Sequence, residues 1–439
     1  MSKRIVVVGG GVVGLSVAYE CARRGHRVSV VERGEAERDV GCSYANAGMI
    51  VPSHFVPLAS PGMIALALRW MFDAESPFHL KPRASADLLD WGWKFYRACT
   101  KAHVARAAPL LRDLHLASRA GFERWAAQWG NPFAFVESGM LVLCRTGHAL
   151  AEEARVAQFA RELGMPAEVL SASQAAAIEP GIRMAIAGAV HFPRDARVVP
   201  ARLMAALRHE TQRLGVQLRH ETEVRAFRMT GARIEAAETN AGVIQGDEFV
   251  LCAGIWSSPL ARQLGLSLPM QAGKGYSLTV EQPSVTVQRC AILSEARAAM
   301  TPMGGALRFG GTMEITGIDE AVDRVRVRGI SRAIAAYFPD VTPEVLATAT
   351  IRTGLRPCSP DGLPYVGRFA RFANLSAATG HAMMGVSLAP ITGMLVAQLL
   401  SGEPASIPIA ALSPDRYARG TVHESALAGS DTGAHHAVR

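Results

Sequence analysis

Residues 4–33, RIVVVGGGVVGLSVAYECARRGHRVSVVER, constrain the architecture of this chain more tightly than any other segment. Residues 5–8 are apolar and mostly β-branched without alternation, the pattern of a parallel strand buried on both faces. Gly9, Gly11 and Gly14 follow with GxGxxG spacing. The first glycine permits a tight turn, the second lets backbone approach a pyrophosphate, and the third lets the next helix pack on the strand. That helix, opening at Val12 and Val13, is expected to run to about Arg24 and stop at Gly25, before RVSVV returns as a second strand ending at Glu32 and Arg33. A carboxylate placed there accepts both ribose hydroxyls and repels a 2′-phosphate. The segment therefore predicts a doubly wound α/β domain with a dinucleotide site, without choosing between NAD and FAD.

Working outward, residues 34–53 (GEAERDVGCSYANAGMIVPS) form a polar, glycine-bounded loop where a simple dehydrogenase would place its next helix. Residues 61–130 read as helices carrying Trp70, Trp91, Trp93, Trp125 and Trp129. Two readings stay open there: packing on a second domain, or an apolar face at Met63–Phe72 that touches lipid or a redox partner. GMLVLCR and GAVHFP read as strands around a helical insert near 147–164, and VVPARLMAALRHETQRLGVQLRH as a helix and strand. LPMQAGKGYSLTV and RCAILSEARAAMTPMGGALRFGGTME look like antiparallel strands with turn glycines, suited to one wall of a pocket. The expected organisation is a discontinuous nucleotide-binding domain (1–60, 196–270, 350–412) interleaved with an α+β substrate domain built on an antiparallel sheet (61–195, 271–349). A disordered tail is expected over 413–439.

Composition excludes several function classes. The formal charge of +8 is spread along the chain, which argues against nucleic acid. Seven scattered cysteines without a CxxC pair argue for reduced thiols and against zinc, an iron–sulfur cluster or any other metal site. MSKRIVVVGG enters a strand at once and offers no secretory leader, and no apolar run approaches the roughly 20 residues of a spanning helix. The expectation is a cytoplasmic protein, with peripheral contact at the inner face of the plasma membrane left open.

Four stretches, in order, carry a family resemblance: GGGVVGLSVAYECARRGHRVSVVER, CSYANAGMIVP, VLCAGIWS, and TGLRPCSPDGLPYVGR followed by ATGHAMMGVSLAPITGMLVAQLLSG. They resemble the D-amino-acid oxidase superfamily of FAD-dependent oxidoreductases, and most closely its bacterial D-amino-acid dehydrogenase small-subunit type. The resemblance implies an FAD-binding Rossmann-type domain with the adenine end near Gly9, Gly11, Gly14, Glu32 and Arg33. It implies a cofactor loop at Ser43, Asn46, Ala47 and Gly48, a backbone contact at Val224, and a turn at Ala253, Gly254 and Trp256. Gly380, His381, Met383, Met384 and Gly385 form the expected ring-binding set, because the helix that follows points its N-terminus toward them and a reduced flavin carries negative charge.

Arg356 matches the family's carboxylate-binding arginine, a role that suits a fork of parallel N–H donors which stays charged when desolvated. The bland alternative is a structural ion pair, with Asp361 as partner. Tyr276 matches a position in the same pocket, or is a core tyrosine. His54, Lys274, Arg352 and His381 are weaker substrate-binding candidates. The implied reaction is oxidation of a D-amino acid, proline-like ones included, with electrons passed to a quinone or another carrier. The alternatives are a glycine or secondary-amine oxidase that uses oxygen, and a flavoprotein subunit of a membrane-associated electron-transfer complex. Ala45 stands where some members carry a flavin-linking histidine, so non-covalent FAD is expected, and Cys42 and Cys358 are read as packing residues.

Overall fold

A computed structural model describes residues 1–36, 41–70, 76–81, 83 and 85–418. The opening segment forms strand Arg4–Val8, helix Val12–Arg23 and strand Arg27–Val31, with Gly25 turning at φ 80° between helix and second strand. Strand Arg4–Val8 sits inside a six-stranded sheet, parallel to Arg27–Val31 on one side and to Glu248–Leu251 on the other. Gln217–Arg219 and Leu375–Thr379 extend the parallel array outward, and Tyr365–Arg368 closes one edge antiparallel. Residues Ile5, Val6, Val7 and Val8 are all buried, which explains the unbroken apolar run. Helix Val12–Arg23 packs between helices Pro200–Arg213 and Ala389–Ser401.

The second unit is a nine-stranded sheet whose path begins with Thr350–Cys358, Gln271–Val280 and Leu307–Ile315. It is largely antiparallel, as the glycine-punctuated pattern suggested. Two pairings are parallel: Cys290–Leu293 with Met140–Cys144, and Leu307–Ile315 with Phe78–Leu80. A buried cluster of Leu141, Leu278, Leu293, Phe309, Ile334 and Phe338 fills the side of this sheet away from the parallel sheet's helices. The helix-rich stretch resolves into Met63–Trp70, Ala86–Ala98 and Lys101–Trp129 among the described residues, and Phe72 of the proposed apolar face lies outside them.

Three features depart from the sequence reading. Strand Thr350–Cys358, grouped there with the nucleotide-binding segments, is the edge of the larger sheet because its whole length pairs with Gln271–Val280. Val224 opens an unanticipated antiparallel meander, Val224–Thr230, Arg233–Thr239 and Gly242–Gln245. The tail is ordered through Ala418, since Arg416 inserts an ion pair to Asp361 at 2.7 Å and Tyr417 packs edge-on to Tyr365. The rest of the expected disordered tail, 419–439, lies outside the described residues.

Candidate active site

A cleft of ≈ 1280 Å³ runs along the carboxyl ends of the parallel strands, larger than the roughly 300–1,000 Å³ usual for one small ligand. Its floor is the glycine turn. Gly9 adopts φ 109°, and a Cβ on Gly14 would lie 1.9 Å from the Gly9 carbonyl oxygen, so no larger residue fits. Gly11 caps the helix without a side chain, and the Val12 N–H donates to Ser43 Oγ at 3.1 Å. Glu32 accepts from the Gly10 N–H at 2.7 Å and the Gly34 N–H at 2.8 Å, which holds its carboxylate against the turn. The Arg33 guanidinium lies 3.8 Å over the Trp256 ring, and Val224 lines the cleft with them. That flat cation–aromatic edge suits a purine.

The facing wall comes from the edge strand of the larger sheet, where Ile351, Arg352, Thr353, Leu355 and Pro357 line the cleft and Arg356 does not. Register pairs Gly273 with Arg356, Gly275 with Gly354 and Ser277 with Arg352, which puts these six on one face. That face looks at the loop after the second strand: a Cβ on Gly354 would meet Cys42 Cα at 3.0 Å. The Arg356 guanidinium lies across Gly275, where a Cβ would fall 2.2 Å from Nη2, and Nη1 donates to the Thr312 carbonyl at 2.7 Å. Thr312 is β-branched yet sits at φ 68°, the kind of backbone strain that concentrates at functional sites. Asp361 is committed to Arg416, and Arg356 makes no ion pair with a described carboxylate. Ser277 Oγ is buried on the same face without a hydrogen-bond partner among the described residues.

Lys274 and Tyr276 sit on the opposite face. Tyr276 Oη donates to Glu314 at 3.1 Å, Lys274 Nζ lies 3.5 Å from Glu314 and 3.2 Å from Asp319, and Arg326 Nε lies 3.4 Å from Glu314. Burial, and then the Glu314 charge, raise the Tyr276 phenol pKa. The expectation that Tyr276 and Lys274 share a pocket with Arg356 is therefore corrected. Their partners across the pair are Thr353 and Leu355, one step out of phase with Arg356, and one step in a strand is the other face.

The family described as FAD dependent oxidoreductase (DAO) matches residues 4–399. The chain belongs to this FAD dependent oxidoreductase family. It is 32% identical over 420 residues to a D-amino acid dehydrogenase of Bradyrhizobium diazoefficiens, covering 94% of this chain and 99% of that one. A D-amino acid dehydrogenase of Cereibacter sphaeroides is 35% identical over 421 residues, covering 94% and 95%. Among solved structures, glycine oxidase from Geobacillus kaustophilus superposes with a TM-score of 0.74 at 27% identity, over 95% of this chain and all of that one. L-proline dehydrogenase from P. horikoshii, with a TM-score of 0.72 at 20% identity over 95% and 98%, shares the fold.

The cleft fits the family's FAD. A Cβ at Gly9 or Gly14 of the glycine turn would collide with backbone, Glu32 accepts from the Gly10 N–H beside it, and the cleft's volume exceeds that of a small-ligand pocket. Gly9, Gly11, Val12, Val13, Glu32, Arg33, Ser43, Asn46, Val224, Ala253, Gly254, Trp256, His381 and Gly385 line it, together with Arg352. Gly14, Ala47, Gly48, Gly380, Met383 and Met384 do not. Gly380 packs under Tyr365, whose ring a Cβ would meet at 2.7 Å, and Gly48 packs under the Val198 carbonyl. Met384 Sδ lies 3.3 Å from the buried His115, while Met383 is exposed.

Of the two candidate histidines, His381 is buried beside the cleft it lines and His54 is half-buried away from it. His381 Nε2 is 3.0 Å from Thr392 Oγ1, and burial pushes its pKa down to about 3. His54 lies 3.3 Å from Ser53 Oγ, outside the cleft lining, its pKa pushed down to about 4 by burial. Both are neutral rings at ordinary pH, unsuited to holding a carboxylate. No motif pointed to Arg308, Thr312 or Ser277. Their only sequence signal is alternation within ALRFGGTME and AGKGYSL, and its phase becomes readable once the strands are paired.

Proposed function

We propose that this chain is an FAD-dependent D-amino acid dehydrogenase that oxidises the Cα–N bond of a D-amino acid. The observation that carries the reading is Arg356: a guanidinium on the sheet face toward the cofactor loop, steadied by a carbonyl instead of a carboxylate. Such a group binds a carboxylate through paired N–H donors. Gly275 lets the guanidinium lie flat on the sheet, and Gly354 lets the loop at Cys42 approach the same face. The names of the relatives support a D-amino acid as the substrate.

FAD, when bound, supplies the two-electron acceptor for the substrate's Cα–H bond. The residues of the chain bind and orient. Arg356 fixes the acid end, and its positive field lowers the pKa of the substrate amine, favouring the neutral form that oxidation requires. The net change removes two electrons and two protons from the amino acid to give an imino acid, which water hydrolyses to a keto acid and ammonia. No acid–base side chain is needed in the site, and orientation and electrostatics carry the rate. Glu32, Arg33 and Trp256 hold the nucleotide end. Ala45 has no nucleophile with which to tether the ring, which supports a non-covalent cofactor.

The electrons pass to a quinone or a comparable carrier. Helix Ala86–Ala98 supports this, because Trp91 anchors it to the Cys358 carbonyl at 2.9 Å while Leu89, Trp93 and Tyr96 face outward. Among the described residues no helix is long and apolar enough to cross a membrane, so contact with a membrane-borne acceptor is peripheral. The test is anaerobic bleaching of the purified yellow protein with a panel of D- and L-amino acids, followed by dye-reduction and peroxide assays. Bleaching by D-amino acids, dye reduction and little peroxide are expected. A response to L-amino acids alone, or colourless protein that takes up no FAD, overturns the proposal.

A further inference from the structure

Arg308 lies on strand Leu307–Ile315, directly across from Thr279 and on the face that carries Ser277 and Arg356. Its Nε donates to Thr279 Oγ1 at 3.0 Å, which fixes the plane of the guanidinium. Its Nη1 donates to two backbone carbonyls, Tyr44 and Asn46, each at 2.8 Å. Carbonyls two residues apart converge on one nitrogen only when the loop curls around it. Asn46, so fixed, accepts from the Gly48 N–H at 2.7 Å and donates to the Met383 carbonyl at 3.4 Å. One cation thus ties the larger sheet to the loop that lines the cofactor cleft, and through Asn46 to the turn before the C-terminal helix.

We propose that Arg308 is a positioning residue that clamps residues 44–48 in the shape the FAD cleft needs. The inference rests on the family reading that this cleft holds FAD. The chemistry of the contact supports a functional clamp over passive packing. Arg308 makes no ion pair with a described carboxylate, and burying a cation against neutral carbonyls is costly. Burial and the nearby Arg352 charge hold its pKa down to about 10, so it remains charged at neutral pH. Arg308 stands behind the cleft lining and reaches it through the carbonyls of Tyr44 and Asn46, both of which belong to residues that line the cleft. A lysine cannot replace the fork, because a point charge cannot keep the Thr279 bond while reaching both carbonyls.

The experiment is backbone amide exchange of peptides spanning 41–48 in the FAD-loaded full chain, together with the FAD dissociation constant. Arg308→Met is expected to speed exchange there at least tenfold and weaken FAD at least tenfold. Arg308→Lys should recover part of each loss, and Thr279→Val, which removes only the orienting bond, should cause a milder version of both. If Arg308→Met does not fold, the Lys and Val variants give the same reading. Unchanged exchange in the loop overturns the clamp, as does faster exchange with unaltered FAD affinity. A wild-type chain that binds no FAD sinks the functional reading instead, while the exchange data still report on Arg308.

Discussion

The two faces of one strand, Gln271–Val280, differ more than any two regions of this molecule. One face carries Gly273, Gly275, Ser277 and Thr279, with the Arg356 guanidinium lying across Gly275. The other is a packed cluster of Lys274, Tyr276, Glu314 and Arg326, joined by Asp319, in which two cations meet two carboxylates. The side chains that look most catalytic in AGKGYSL, Lys274 and Tyr276, are spent on contacts with Glu314 and Asp319. A buried ion pair holds the fold only when both partners are present. Arg356, for which we propose the carboxylate-binding role, is steadied by the Thr312 carbonyl in place of an acid.

Substitutions can break this contrast. The largest effect is expected from Glu314→Met, which leaves Lys274 and Arg326 buried without the anion they share and should cost about 3 kcal/mol of stability. Its KM should stay within twofold of wild type. A shifted KM with an unshifted melting curve would move this cluster into the site. Arg356→Met should show the opposite pattern: an intact flavin spectrum and melting temperature, with kcat/KM lowered about a hundredfold, equivalent to about 2.7 kcal/mol of lost transition-state binding. Steady-state kinetics across a D-amino acid panel check it.

Gly275→Ala sharpens the comparison without touching a charge. The new Cβ would fall 2.2 to 2.3 Å from three atoms of the Arg356 guanidinium, the far end of a flexible side chain, so the arginine must swing away while the strand stays paired. KM should rise about tenfold, roughly 1.4 kcal/mol, with kcat much less affected. An unchanged KM would show that the position of Arg356 across Gly275 does not matter to substrate.

The contrast between faces also marks what was legible in the sequence. The strand–turn–helix–strand unit at 4–33 is readable because every local signal agrees: β-branched burial, glycines that admit no Cβ, and an acid at the strand end. The family motifs extended that reading to both ends of the cleft, at Val224 and at Gly385. Whether Tyr276 shares a face with Arg356 is different in kind. It depends on register between strands distant in sequence, and a slip of one residue reverses the answer. Arg308 escaped notice for the same reason, since its partners are backbone carbonyls of a loop whose path no side-chain pattern reveals. The meander from Val224 was legible in principle from the turn glycines Gly231 and Gly242. The packing of Arg416 was not, because a single ion pair at a polar chain end leaves no periodic trace.

The smallest expected effect separates site from scaffold by pH. His54 is a half-buried ring whose folded pKa, about 4, lies below its ordinary value. Unfolded chains therefore bind the proton more readily, and stability present above pH 6.5 is lost as pH falls toward 4. At pH 5.5, one unit below the ordinary value, this single ring accounts for about 1 kcal/mol of acid destabilisation. His54→Asn should remove that increment, so its melting temperature should fall less than that of wild type between pH 7.5 and 5.5. Because His54 lies outside the cleft lining, kcat/KM at pH 7.5 should remain within twofold. A variant with unaltered acid sensitivity but impaired kinetics would return His54 to the substrate site, and the division between a neutral interior and an arginine-bearing face would need redrawing.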